Sequence, residues 1–280
     1  MSKGVLIDLT KCIGCGSCAV ACKMWNKLEF NNCEPYTGPD AKLHDLNWTV
    51  VSLHTVDDSR KEPVWRYVKQ QCFHCQEPAC VSACFSRALE RNADGAVIYY
   101  PSLCVGCRYC MIACPFDIPK YEWSKRIPHV TKCQFCSQKI AAGESPACVS
   151  VCPTGALQYG DRSQLLAEGK RIIAADSKYV DYIYGEKEVG GTAWMYLSDV
   201  PFEELGFKMG MSNTALPAYT NKFVTKTPVI AAGWGAALLA LSFYTKRRNR
   251  LAKERSRVRL TQKAEQNPDK TGGKREDHES

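Results

Sequence analysis

"KCIGCGSCAVACK" (Lys11–Lys23) holds four cysteines, Cys12, Cys15, Cys18 and Cys22, at the spacing C-x2-C-x2-C-x3-C. Three thiols separated by two residues can curl round one centre, whereas a fourth thiol three residues further on has moved past it. The quartet recurs. "CFHCQEPACVSAC" supplies Cys72, Cys75, Cys80 and Cys84; "CVGCRYCMIACP" supplies Cys104, Cys107, Cys110 and Cys114. "CQFCSQKIAAGESPACVSVCP" supplies Cys133, Cys136, Cys148 and Cys152. Of the 17 cysteines only Cys33 stands outside a quartet, and it reads as a buried apolar thiol.

Cysteines grouped this tightly in a 280-residue chain suit metal or cluster binding better than a disulfide scaffold, which belongs to short secreted chains. Zinc sites with four cysteine ligands join one C-x2-C doublet to another, so the triplets here would leave a surplus thiol per site. Iron–sulfur cubes take four thiolates each, and in two-cluster ferredoxins the fourth cysteine of a run ligates the other cluster. Four quartets therefore imply two ferredoxin units and four [4Fe-4S] clusters. Spacing alone permits serial pairing, first quartet with second and third with fourth. Nested pairing is favoured, because a long strand-bearing insert separates the first quartet from the second. His74 reads as a surface residue, or one hydrogen-bonding near a cluster, since each cluster already has four thiols. Phe85 follows Cys84 where Pro115 and Pro153 follow the later runs.

Between the quartets, "WTVVSLHTV" (Trp48–Val56) reads as a strand, and "GAVIYY" and "GALQYG" as hairpin strands. "DRSQLLAEGKRIIAA" (Asp161–Ala175) has helical apolar spacing. Residues 176–222 look irregular except for "AWMYL". Phe223–Thr245 is mostly apolar and long enough to span a bilayer, for which about 20 residues suffice; a buried or interfacial helix is the alternative. Lys246, Arg247, Arg248 and Arg250 follow at once, so a spanning helix would leave the C-terminus cytoplasmic and the cysteine-rich part on the other face. Much of the net charge of +8 lies in this tail, and its position after an apolar span argues against nucleic-acid binding. Gln262–Ser280 is expected to be disordered. "MSKGVLIDLT" has no apolar signal core and no twin arginine, so no export signal is expected. No nucleophile–base pair, phosphate loop or paired carboxylates stand out, and no catalytic residues are assigned.

The expected architecture is α+β, two interleaved bacterial-type 2[4Fe-4S] ferredoxin units plus a single C-terminal transmembrane helix. Its parts are residues 1–65, the first half of the outer unit with its insert; 66–129, the inner unit; and 130–175, the second half of the outer unit. A connecting segment at 176–222, a membrane helix at 223–245 and a basic, then disordered, tail at 246–280 complete it.

The quartets, with the wide gap "CSQKIAAGESPAC" in the last, resemble the four-cluster subunits of the complex iron–sulfur molybdoenzyme family and its hydrogenase relatives, from about Ile7 to Tyr244. "CPFDIPKYEW", "GESPACVSVCPTGAL" and "GGTAWMYL" resemble the β subunit of membrane-bound respiratory formate dehydrogenase. "CRYCMIACPFDIPKY", "YGEKEVGGT" and "VPFEEL" resemble the iron–sulfur subunit of membrane-bound nickel–iron uptake hydrogenases, which usually carry a twin-arginine signal. The expectation therefore leans to formate dehydrogenase. The resemblance implies cluster ligand sets: Cys12, Cys15, Cys18 and Cys152 nearest a catalytic subunit; then Cys133, Cys136, Cys148 and Cys22; then Cys72, Cys75, Cys80 and Cys114. The set Cys104, Cys107, Cys110 and Cys84 would lie nearest the membrane. Some relatives lack a cysteine in the third quartet, but Cys107 is present here. The implied function is relay of single electrons between a molybdopterin or tungstopterin catalytic subunit, or a nickel–iron large subunit, and a membrane cytochrome b or quinone-reactive subunit. The implied place is the cytoplasmic membrane, with the clusters periplasmic. A molybdopterin reductase running electrons the other way and a free-standing membrane-anchored ferredoxin are the alternatives.

Overall fold

"KGVLID" forms β1 (Lys3–Asp8), buried from Gly4 onward, as a strand covered on both faces must be. The computed structural model describes residues 2–30, 35–57 and 63–266, so Cys33 lies outside the described residues. After β1 the first quartet leads into α1 (Ser17–Asn26). The insert contributes β2 (Thr37–Gly38), β3 (Val50–Asp57) and β4 (Pro63–Gln70), one sheet in the order β2–β3–β4. β3 and β4 are antiparallel, with Val50 opposite Gln70 and Asp57 opposite Pro63.

The middle of the chain is built from short elements: α2 (Ala79–Ser82), β5 (Leu89–Arg91), β6 (Val97–Tyr99) and α3 (Tyr109–Ala113). β5 and β6 form the hairpin expected around "GAVIYY", closed by Gly95 at φ 91°. β7 (Lys120–Tyr121) and β8 (Val130–Thr131) pair with each other, and α4 (Ser137–Ala141) and α5 (Ala147–Ser150) carry the fourth quartet. β9 (Leu157–Asp161) leads into α6 (Arg162–Ala175), as the periodicity predicts. β9, the "GALQYG" strand, is not part of a hairpin: it runs antiparallel to β1, with Ile7 opposite Leu157.

The stretch 176–222 is more than a connector. β10 (Trp194–Leu197) lies parallel to β1 and completes a sheet in the order β10–β1–β9. Trp194, Met195, Tyr196 and Leu197 are all fully buried, packed from both faces. Tyr184, Phe202 and Phe207 gather round Tyr196, with ring centroids 4.6–6.3 Å apart. Aromatic pairs at these distances add about 0.5–1.5 kcal/mol each beyond burial. Outside β10 the stretch is largely loop, yet these loops bury aromatic side chains in the core.

The chain divides into two compact units, Met1–Thr220 and Asn221–Ser280. Toward the C-terminus α7 (Leu216–Val224) precedes α8 (Thr227–Gln266). The helix therefore runs beyond the apolar stretch expected at 223–245 and takes in residues 246–266, including the first five of the stretch Gln262–Ser280 expected to be disordered. Leu, Ala, Lys, Arg, Glu and Gln, which dominate residues 246–266, are all strong helix formers. Residues 267–280 lie outside the described residues. At 1.5 Å per residue α8 is about 60 Å long. It is long and apolar enough to cross a membrane, with Trp234, Leu238, Leu241 and Phe243 exposed.

Candidate metal centres

The four quartets fold alike. In each C-x2-C the residue before the second cysteine adopts a left-handed backbone: Gly14 (φ 70°), His74 (φ 48°), Gly106 (φ 70°) and Phe135 (φ 58°). This turns the chain so that successive thiols face one centre, and it aims backbone N–H groups at sulfur. Gly106 N–H donates to Cys104 Sγ at 3.4 Å and Phe135 N–H to Cys133 Sγ at 3.3 Å. Glycine takes this conformation without steric penalty. Bulky residues such as His74 and Phe135 adopt it only where surrounding contacts hold them. The two rings stack on each other at 4.9 Å. The second and fourth quartets share "PACVS", in which a proline starts a short helix carrying Cys80 or Cys148.

The helices pair across the chain. α1 of the first quartet packs on α5 of the fourth, and α2 of the second on α3 of the third. One cavity is lined by Cys12, Cys15, Cys18 and Cys152 with Ile13, Val51 and Leu157. Another is lined by Cys84, Cys104, Cys107 and Cys110 with Leu89, Tyr99 and Val130. Cys75 is pushed well up by burial, then by the nearby Cys72, Cys114 and Cys80. Cys22 is pushed up to about 12 by burial and then by Cys148, with Cys136 also contributing. The groups influence one another: Cys148 acts on Cys18, Cys72 on Cys133, and Cys110 on Cys80.

Burial is the first cause of these shifts, because a dry pocket disfavours a thiolate. Cys18 and Cys80 also rise to about 12, and Cys110 and Cys114 to about 11. Cys84 and Cys152 go the other way. Burial opposes the shift, but backbone N–H groups and the hydroxyls of Ser86 and Thr154 favour their thiolates.

All sixteen described cysteines are free thiols. Among the described residues no three His, Cys, Asp or Glu side chains converge on a point that one metal ion could hold. Zinc would need its thiolates about 2.3 Å from a common point. Thiols gathered four to a pocket in apolar surroundings, with N–H groups aimed at sulfur, fit a multi-iron cluster.

His74 is not at the surface. It is 0% exposed, and its Nδ1 accepts the Val97 N–H at 2.9 Å. Burial lowers its pKa well below the usual value, as do the charges of Lys132, Lys69 and Arg91. The ring is therefore neutral, with its proton on Nε2, and the nitrogen facing Val97 is unavailable as a metal ligand.

Sequence reading missed Lys69 and Lys132, which are 2% and 3% exposed. The available signal was a lysine three residues before Cys72 and another immediately before Cys133. It passes unnoticed because lysine is ordinarily a surface residue.

Fold and site together define a multi-cluster iron–sulfur protein of the ferredoxin type. A family described as "4Fe-4S dicluster domain" matches residues 63–162, and a second family with the same description matches residues 11–88. The hydrogenase-2 operon protein HybA of Escherichia coli O157:H7 is 35% identical over 236 residues, 73% of this chain and 72% of that protein. The iron–sulfur subunit of the nitrate-inducible formate dehydrogenase of Escherichia coli K12 is 35% identical over 198 residues, 69% of this chain and 66% of that subunit. A protein of Nitratidesulfovibrio vulgaris strain Hildenborough is 42% identical over 267 residues, 90% of this chain and 69% of its own length. The chain belongs to the iron–sulfur family that includes the formate dehydrogenase subunit and HybA, and it is an electron-transfer rather than a catalytic subunit.

Proposed function

We propose that the chain holds four [4Fe-4S] clusters in two nested ferredoxin units and links a catalytic subunit to a membrane haem or quinone subunit. The packing of α1 on α5 and of α2 on α3 carries the nested reading, since serial pairing would join the first quartet to the second. The ligand sets are Cys12, Cys15, Cys18, Cys152; Cys133, Cys136, Cys148, Cys22; Cys72, Cys75, Cys80, Cys114; and Cys104, Cys107, Cys110, Cys84. The influence of Cys148 on Cys18, of Cys72 on Cys133 and of Cys110 on Cys80 supports a relay in that order. When bound, the clusters supply one-electron redox chemistry. The protein's own residues supply thiolates, exclude water and aim N–H dipoles at sulfur. Cys15 and Cys107, at the two ends of the series, are exposed. Val105, Tyr109 and Ile112 stand exposed beside Cys107, an apolar rim suited to a partner.

The catalytic partner in this reading is a formate dehydrogenase subunit, supported by "CPFDIPKYEW" and "GGTAWMYL". A hydrogenase is the second reading, favoured by the longer match to HybA. Anaerobically purified complex should contain about sixteen irons per chain. Molybdenum or tungsten in the co-purified large subunit supports the first partner and nickel the second, while about eight irons or stoichiometric zinc would refute the four-cluster reading.

α8 is the anchor in this proposal, with the metal centres periplasmic and the basic end cytoplasmic. A reporter active only outside the cytoplasm should work when fused before Phe223 and be silent after Arg250; the reverse pattern would overturn the orientation.

A further inference from the structure

Two cations are buried among the cysteine sets. Lys69 Nζ donates to Gln71 Oε1 at 2.7 Å and stands 4.3 Å from the centroid of the Trp194 ring. Gln71 Nε2 donates to Tyr196 Oη at 2.7 Å, and Tyr196 Oη donates to the Lys69 carbonyl at 3.0 Å. This closed ring fixes the ammonium. Lys132 Nζ donates to the carbonyls of Val97 and Cys133. Among the described residues neither lysine forms an ion pair with a carboxylate.

A buried ammonium without a counter-ion is costly, and lysine in such a place ordinarily loses its proton. The Gln71 oxygen and the Trp194 ring face hold the Lys69 ammonium, and the thiols of Cys148, Cys18, Cys133 and Cys22 stand near enough to act on it. Those thiols come from two different sets. Lys69 also lines the cavity of Cys12, Cys15, Cys18 and Cys152. It thus stands between the first two sets. Lys132 donates to the Cys133 backbone carbonyl and acts on the Cys80 thiol of the third set.

We infer that Lys69 is a potential-setting residue shared by the first two clusters, its buried charge favouring their reduced forms. The inference rests on the four-cluster reading above. Four thiolates and a [4Fe-4S]2+ core carry net charge −2. Reduction adds one electron from the donor, makes the net charge −3 and forms no new bond. A cation held in a dry site stabilises the more negative state, and cluster potential follows net charge and hydrogen bonding. Lys69 is a positioning residue, acting through charge alone.

The test is a reductive titration of the purified complex followed by electron paramagnetic resonance, with iron counted in every sample. Lys69→Met should lower the reduced-to-oxidised ratio of two clusters about tenfold at a fixed potential, equivalent to about 59 mV for a one-electron couple. The other two clusters should titrate as in the parent protein. Lys69→Arg should stay within about twofold of the parent because the charge is kept. Parent-like titration of a fully loaded Lys69→Met protein would overturn the inference, as would an equal shift in Lys69→Arg. Lys69→Gln gives a second neutral variant able to hydrogen-bond Gln71, and it should shift the same two clusters. If both neutral variants fail to load iron while Lys69→Arg loads it, the charge is structural and the inference falls. A low iron count in the parent protein would instead indict the four-cluster reading.

Discussion

Cys107→Ser is expected to lower electron transfer from donor to quinone in the intact complex by on the order of tenfold or more. Activity with a soluble dye that accepts electrons near the catalytic subunit should survive. Cys107 is exposed and shares a cavity with Cys84, Cys104 and Cys110. In the proposed order that set lies at one end of the series, next to the set holding Cys80, whose thiol feels Cys110. Loss of one thiolate changes the charge and composition of the terminal cluster, and so its potential. The chemistry at the other end does not depend on it. Unchanged quinone reduction alongside an altered spectrum would show that this cluster is not the exit. Should assembly fail, Arg108→Lys offers a milder probe. Arg108 lies over the rings of Tyr121 and Trp123, at 5.7 and 5.1 Å, and lysine would loosen that stacking while leaving all four thiols.

Anaerobic removal of iron is expected to unfold much of Met1–Thr220, the second large effect. Cysteines are part of the core: Cys72, Cys133 and Cys148 belong to the main apolar cluster, and Cys80 and Cys110 to a smaller one. The smaller cluster otherwise contains only Ala88, Leu89, Val97, Tyr99 and Val130 as buried members, too little to close a core by itself. Structural metal sites bind with about 10–16 kcal/mol, comparable to the whole stability of a domain at about 5–15 kcal/mol. Near-ultraviolet circular dichroism from the Trp194 and Tyr196 region should fall as iron leaves, and the region of the second and third quartets should become protease-sensitive first. Retention of the full aromatic signal in iron-free protein would contradict this.

Whatever part of the iron-free chain stays folded should also weaken as pH rises. Its thiols are raised from the ordinary 9.0 to about 11 or 12 at Cys18, Cys22, Cys80, Cys110 and Cys114. In that window the folded state binds more protons than the unfolded one, so stability present below pH 9 is lost between about 9 and 12. Iron loading has the opposite dependence, because thiolate ligation releases protons. Denaturant midpoints of iron-free protein at pH 8 and pH 10 should therefore fall in that order.

The local chemistry was legible in the chain because it is local. Thiol spacing announces a cluster wherever it occurs, and Gly14 and Gly106 mark two of the left-handed turns that wrap the thiols round it. At the other two turns His74 and Phe135 are held in the same conformation by long-range packing, including the stacking of one ring on the other, and no short-range rule points to them. The apolar run in α8 was equally readable, since about 20 apolar residues need no tertiary context to be recognised. Its continuation to Gln266 is not marked by apolar length, because the stretch is charged, although its residues favour helix. The sequence favoured nesting only through the length of one insert, whereas the contacts of α1 with α5 and of β1 with β9 are tertiary, closing loops of more than a hundred residues. Tertiary structure alone decided that β10 completes the central sheet, because a strand buried on both faces carries no alternation. It alone placed Lys69 and Lys132 among the thiols: whether a lysine is a solvated surface residue or a buried charge depends on what the rest of the chain brings to surround it.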